Sequence, residues 1–349
     1  MNKGIGSLLT LGPGNRDHLI GLRTALGIFV PLVTLLLLDR LDLTVFVVFG
    51  AFTGIYGRVQ GYGNRLYAQA RAGAVFLVVM ALAMAASTYL IDHKDPSRGT
   101  WTIVGLTALM AGVASVVVAW LRLRPAGSLF HIFAFAAIAS LPAQPPVAQG
   151  LGTALATIVF SILLGLAGIL RPGYRSLAPF IPRRPVGAVE RRMILLEGVG
   201  YLVAAGLAGS AAALLGPALS TGHPYWAMVA AVVPLVGHTT AHRIRRGLHR
   251  VLGTLVGLGL MALIVVAHPP VWALILVIGA AQFAAEMFVT RNYFIAQIFV
   301  TPLALVGVSL VTGPSVQLFY DRALETVLGS AIGVLVVLAP KFWWGQRTV

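Results

Sequence analysis

Apolar residues run in blocks along this chain, near 20–38, 42–57, 72–91, 101–121, 128–141 and 150–170. A second set follows near 195–215, 223–240, 251–267, 270–289, 293–312 and 323–340. A hydrocarbon core about 30 Å thick takes roughly 20 residues of helix to cross. The pattern predicts an all-α polytopic membrane protein of about twelve transmembrane helices. Blocks 42–57 and 128–141 fall short of a full crossing and read as tilted or partly re-entrant.

The longest polar stretch, RPGYRSLAPFIPRRPVGAVERR, separates the two sets of six. Its prolines and arginines mark a connection rather than a domain. The expected organisation is a first six-helix half over 1–170, a basic cytoplasmic linker over 171–193, and a second six-helix half over 194–349. Six is even, so both halves enter the membrane in the same direction, as a parallel repeat related by an axis along the membrane normal. Faint self-similarity agrees. At an offset of 180, Gly57, Arg65 and Gly73 match Gly237, Arg245 and Gly253; at 169, Ala154, Leu155, Thr157 and Ser161 match Ala323, Leu324, Thr326 and Ser330.

Composition narrows the class. Of 349 residues, 10% are charged and 58% hydrophobic, against about 25% charged in a soluble domain. No water-facing surface can be built from that, which excludes a soluble enzyme. The net charge of +15 would suit a nucleic acid, but the basic residues stand in short loops between apolar blocks. With the N-terminus inside, 21 of the 25 Lys and Arg fall in inner segments; only Arg40, Lys94, Arg98 and Arg322 fall outside. Such a split sets topology and makes the lipid bilayer, not a nucleic acid, the partner. Few lysines and abundant Ala, Gly, Leu and Val suggest a high-GC bacterial proteome. The expected location is the bacterial cytoplasmic (inner) membrane, multi-pass, with both termini cytoplasmic. The first 18 residues hold no cleavable signal pattern. Homo-oligomerisation is left open.

Ionisable groups inside a membrane usually face a cavity or a partner. Glu286 and Glu325 are the clearest intramembrane carboxylates, with Asp42 and Glu197 near block ends. Each reads either as a proton-carrying or gating group, or as half of a local ion pair, Glu286 with Arg291 and Glu325 with Arg322. The segment HTTAHRIRRGLHR holds His238, His242 and His249 among Arg243, Arg245, Arg246 and Arg250. It lacks the glutamate of a zinc-binding H-E-x-x-H helix. It reads first as a basic loop for topology and anionic head groups, and second as an attractor of an anionic substrate. Tyr225, Trp226, Trp101, Trp272, Trp343 and Trp344 stand at block ends, as an interfacial belt would. Pro234 and Pro302 break helical ladders within blocks, and the Gly-x-x-x-Gly pairs at 50/54, 253/257 and 329/333 allow close helix approach. There is no phosphate-binding loop, cysteine or nucleophile–base constellation, so neither a cofactor, a metal nor an enzyme is expected.

The stretch HPYWAMVAAVVPLVGHTTAHRIRRGLHRVLGTLVG resembles the signature region of the fusaric acid resistance-like, or aromatic acid exporter, superfamily (FUSC). A Tyr-Trp at a span start precedes a basic loop and an Arg-x-x-Gly-Thr helix start, matched by Tyr225, Trp226, Arg250, Gly253 and Thr254. DRALETVLGSAIGVLV is similar to the last helix of that family, through Arg322, Glu325, Thr326 and Gly329. The first half lacks both the Tyr-Trp and the Glu-Thr. The resemblance implies a bacterial inner-membrane efflux protein, often linked to aromatic carboxylic acids, with plant anion channels as distant relatives.

The residues and the resemblance together lead to a secondary exporter of small aromatic or amphipathic organic anions, proton-coupled. Glu325, Arg322, Glu286, Arg250, Arg245, Tyr225 and Trp226 are its substrate or proton pathway residues. A passive anion channel and a non-transporting membrane scaffold are the rival readings. The topology carries its own test, because the native chain has no cysteine. A cysteine placed at position 184 should react with an impermeant thiol reagent only from the cytoplasmic side; labelling from the periplasm would overturn the orientation.

Overall fold

The computed structural model describes residues 10–344, apart from 15, 142, 171–185, 238 and 314. Most of the linker, with Arg183 and Arg184, lies outside the described residues, as does His238. Twelve α-helices and no strand are found among the described residues. In chain order they are α1 (Asp17–Leu37), α2 (Thr44–Ala51, prolonged by the 3-10 turn Phe52–Ile55), α3 (Tyr62–Tyr89), α4 (Pro96–Trp120), α5 (Leu129–Ala139) and α6 (Val147–Leu166). The second six are α7 (Ala188–Leu219), α8 (Tyr225–Ala231), α9 (Thr240–Val266), α10 (Val271–Phe288), α11 (Tyr293–Thr312) and α12 (Val316–Trp344). Local sequence sets several starts. Asp95 accepts the backbone N–H groups of Ser97 and Arg98 before α4, Thr239 that of His242 in α9, and Asn292 those of Phe294 and Ile295 in α11, each satisfying orphan donors of a first turn.

Nine of these helices are long and apolar enough to cross a bilayer, among the described residues. The other three, α2, α5 and α8, are not. The two short apolar blocks correspond to α2 and α5; the shortness of α8 is a departure, since block 223–240 reads as continuous. After Ala231 the backbone passes into tight turns, with Val233, Leu235 and Val236 donating to carbonyls three residues back, and Pro234 removes a donor there. Every residue from Thr44 to Ile55 and from Tyr225 to Ala231 is buried. Irregular backbone at membrane depth is tolerated where protein encloses it, and here the long helices do so.

Contacts between segments agree with alternate crossing. At one end, Gly12 and Arg291 exchange backbone and side-chain bonds and Arg122 pairs with Glu190 at 3.2 Å. At the other, Arg40 donates to Gln149, Ser87 to the Leu141 carbonyl, and the Gly222 N–H to Asp321. No bond joins a segment of one group to a segment of the other among these. The first end carries the arginine-rich segments and is called the basic end below.

The packing partners within α1–α6 recur within α7–α12. The pairs α1·α2, α1·α6, α2·α6, α3·α5, α3·α6 and α4·α5 reappear as α7·α8, α7·α12, α8·α12, α9·α11, α9·α12 and α10·α11. The most extensive pairs that cross between halves obey the same rule: α1·α10 answers α4·α7, and α2·α11 answers α5·α8, while α4·α8 has no such counterpart. Most pairs thus recur at an offset of six helices, the pattern that a parallel repeat requires. The two sets of six interlock, each placing a long helix against the other's fourth. Geometry also corrects the register of the repeat. Arg65 Nε donates to the Gly57 carbonyl at 3.1 Å, and the residue returning to the Gly237 carbonyl, at 2.9 Å, is Arg243. Arg243, not Arg245, is thus the counterpart of Arg65. Both glycines have positive φ, 68° and 151°, where a side chain would be strained.

The Gly-x-x-x-Gly pair of α12 has a definite task. A Cβ at position 329 would fall on the Ala227 carbonyl oxygen, and one at 333 on that of Ala231. The last long helix therefore lies directly on the backbone of α8, which only glycine permits. Gly329→Val should cost about 1–3 kcal/mol, the usual range for overpacking, or prevent folding. Gly259, with nothing within 4 Å of its would-be Cβ, should accept alanine without loss. Thermal unfolding in detergent measures both; equal midpoints for the two variants would contradict this packing.

Candidate functional site

The buried helices α2, α5 and α8 and the long helix α11 surround a space at the junction of the halves. Val45, Val48, Phe49 and Phe52 of α2 line it with Phe130 and Phe133 of α5. Val300, Leu303, Ala304 and Gly307 of α11 form the facing wall, and Arg250 and Arg322 complete it. The cavity is narrow, with a volume of about 40 Å³, so as it stands it admits water-sized groups and an organic molecule must widen it to enter. The walls differ in kind. The first half gives rings that meet edge-on: Phe49 and Phe133 at 5.1 Å, Phe52 and Phe130 at 5.1 Å, with Phe133 reaching Trp226 of α8 at 4.9 Å. The second half gives the two guanidinium groups.

Arg250 and Arg322 are 2% and 1% exposed, values rarely met by an arginine without a counter-charge. Arg250 Nη1 donates to Gln297 Oε1 at 2.8 Å, and Gln297 in turn reaches Thr254 at 3.2 Å. Arg322 lies over the Trp226 ring at 4.1 Å, a favourable placement for a cation. Neither arginine forms an ion pair among the described residues. Arg250 Nε and Arg322 Nε and Nη1 are enclosed with no hydrogen-bond partner. Unmet buried donors of this kind are costly. On α12, Thr326 and Ser330 follow Arg322 at four-residue steps, and their hydroxyls are also enclosed and unpartnered.

Glu325 lies on the neighbouring face of α12, 2% exposed, with no ion pair among the described residues. Its oxygens approach the backbone of His223 and Ala227 and the Thr221 side chain, without full hydrogen-bond geometry. The expected Glu325–Arg322 pair is therefore not formed. A further acidic residue of α12, not singled out in the sequence, is engaged instead. Asp321, fully buried, accepts from Gly222 N–H at 3.1 Å, from Gln317 at 2.7 Å and from His223. It pins the α7–α8 turn to the head of α12. The spacing Gln317, Asp321, Glu325 at helical steps was the available signal.

Glu286 belongs elsewhere. It pairs with Arg58, not Arg291, and Arg58 also holds Asp17 at 2.7 Å and the Glu286 carbonyl at 2.6 Å. This lock joins α1 and α10 with the turn after α2 at the basic end. Arg291 turns instead to the Gly12 carbonyl, at 3.1 Å. Arg245 is exposed, 3.3 Å from His242, and takes no part in the cavity. Tyr225 and Trp226, read as interfacial aromatics, are 3% and 0% exposed: Trp226 supports Arg322, and Tyr225 packs between the rings of His223 and Trp226. Trp101 and Trp272 are exposed near helix starts, as a belt requires. So the structure brings together Arg250, Arg322, Trp226 and, at their edge, Glu325.

Comparison with known proteins bears on the same region. The fusaric acid resistance protein-like family matches residues 210–336, which run from the end of α7 through most of α12. Over 144 residues the chain is 29% identical to "Uncharacterized membrane protein YvaC" of Bacillus subtilis (strain 168). That stretch is 41% of this chain and 22% of the relative, so the chain matches about a fifth of that protein's length. No solved structure matches. The helices that supply both cavity arginines and Trp226 are those the family match covers, so this part of the chain is similar to the fusaric acid resistance protein-like family, and the chain is a multi-pass membrane protein.

Proposed function

We propose that the protein is a secondary exporter of small organic anions, and that its cavity is the central binding site. The observation that carries this reading is the pair of buried guanidinium groups lining one cavity, with unmet donors and no carboxylate bound to either among the described residues. An anion with an acceptor pair satisfies them, because charge-assisted bonds to arginine are strong and directional. The opposing wall of phenylalanine rings suits an apolar or aromatic body. Glu325, on α12 beside Arg322 and without an ion pair among the described residues, is the group we assign to proton exchange; coupling would let an inward proton gradient drive the anion out. The basic end faces the cytoplasm in this reading, following the arginine distribution.

Uptake of radiolabelled benzoate and related aromatic carboxylates into inverted vesicles tests it. Arg250→Gln and Arg322→Gln should each lower uptake by about tenfold or more, as the loss of a charged hydrogen bond worth about 1.5–3 kcal/mol implies. Glu325→Gln should fold normally and lose the dependence of flux on pH. Glu286→Gln should instead destabilise the fold by about 3–5 kcal/mol, the cost of breaking a buried ion pair. Uptake of the whole panel by both arginine variants at the native rate would remove the cavity from the pathway, and a Glu325→Gln variant with the native pH profile would make that carboxylate structural.

A further inference from the structure

The face of α9 that presents Arg250 to the cavity continues toward the basic end. Arg246 stands one turn before Arg250, and His249 immediately before it, so the three share one side of the helix. His249 is 8% exposed, and its Nε2, like the Nε atoms of Arg246 and Arg250, is enclosed with no hydrogen-bond partner. None of the three forms an ion pair among the described residues. Two rings from the first turn of α11 flank them: Arg246 lies 4.3 Å over Tyr293, and His249 meets Phe294 at 6.3 Å. Arg245, one residue away, points to the exposed side.

Beyond this row the seam between α9 and α11 is shut. A Cβ at Gly253 would come within 2.6 Å of the Phe294 carbonyl oxygen, and one at Gly257 within 2.6 Å of that of Ile298. Arg250, the inner member of this row, is the one that also lines the cavity. Gln297 holds the Nη1 side of Arg250, while its Nε has no hydrogen-bond partner among the described residues.

We infer that Arg246 and His249, with Arg250, form an anion-selecting vestibule at the basic mouth that delivers small oxyanions to the central cavity. The vestibule rests on the anion-transport reading for its purpose, but its charge selectivity is measurable without a known substrate. The probes are two thiol reagents of similar size, the anionic sulfonatoethyl and the cationic trimethylammonioethyl methanethiosulfonates. They are applied from the basic face of oriented vesicles to single-cysteine variants His249→Cys and Phe294→Cys. With rates normalised to a free thiol, the anionic reagent should be favoured by about tenfold, the low end of focusing by charged clefts. Arg246→Gln added to either variant should lower that preference severalfold. Equal normalised rates for the two reagents, a preference untouched by Arg246→Gln, or no reaction from the basic face at either position would overturn the vestibule. Any of these would leave the flux results for Arg250 and Arg322 standing. Lost flux assignments beside a charge-selective vestibule would fault the transport reading alone.

Discussion

A bilayer offers no partner to a free backbone N–H or carbonyl, and that constraint governs this architecture. Three helices, α2, α5 and α8, are too short to cross as unbroken cylinders, so their ends must be satisfied by turns and by the protein around them. They persist because longer helices surround them, and the glycines of α12 show how close that wrapping is. With short helices at the centre, side chains rather than helix backbone occupy the junction of the halves. The cavity is a product of that substitution.

The repeat copies the frame but not the chemistry. Where α9 and α11 enclose Arg250, Gln297 and two threonines, the equivalent pair α3 and α5 stacks His131 on Phe76 at 4.6 Å. Most of the helix pairings therefore appear twice, while Arg250 and Arg322 have no buried counterparts at the equivalent positions. Duplication of a scaffold leaves one copy free to diverge, and here the two copies became the two opposite walls of one site, aromatic and cationic.

Much of this was legible in the chain. Loop charge and block length carry the helix count and the alternation, because membrane insertion reads those same properties. Weak matches between the halves pointed to the repeat, yet placed Arg245 opposite Arg65, since an ungapped comparison cannot see a turn shortened by two residues. Partners distant in sequence were hidden. Arg58 and Glu286 are 228 positions apart, and no local pattern links them; the nearby Arg291 was the natural and incorrect choice. Trp226 misled for a related reason, because an aromatic at the end of an apolar block marks an interface only if the block spans the bilayer, and α8 does not.

The lock of Arg58 with Asp17 and Glu286 ties α1 and α10, which belong to different halves, at the end where the vestibule opens. Its counterpart between α4 and α7, Arg122 with Glu190, is partly exposed. One edge is thus joined by enclosed charge and the other by a pair open to solvent ions. Rising salt screens the second and scarcely touches the first, so the two equivalent edges of the repeat answer differently to ionic strength.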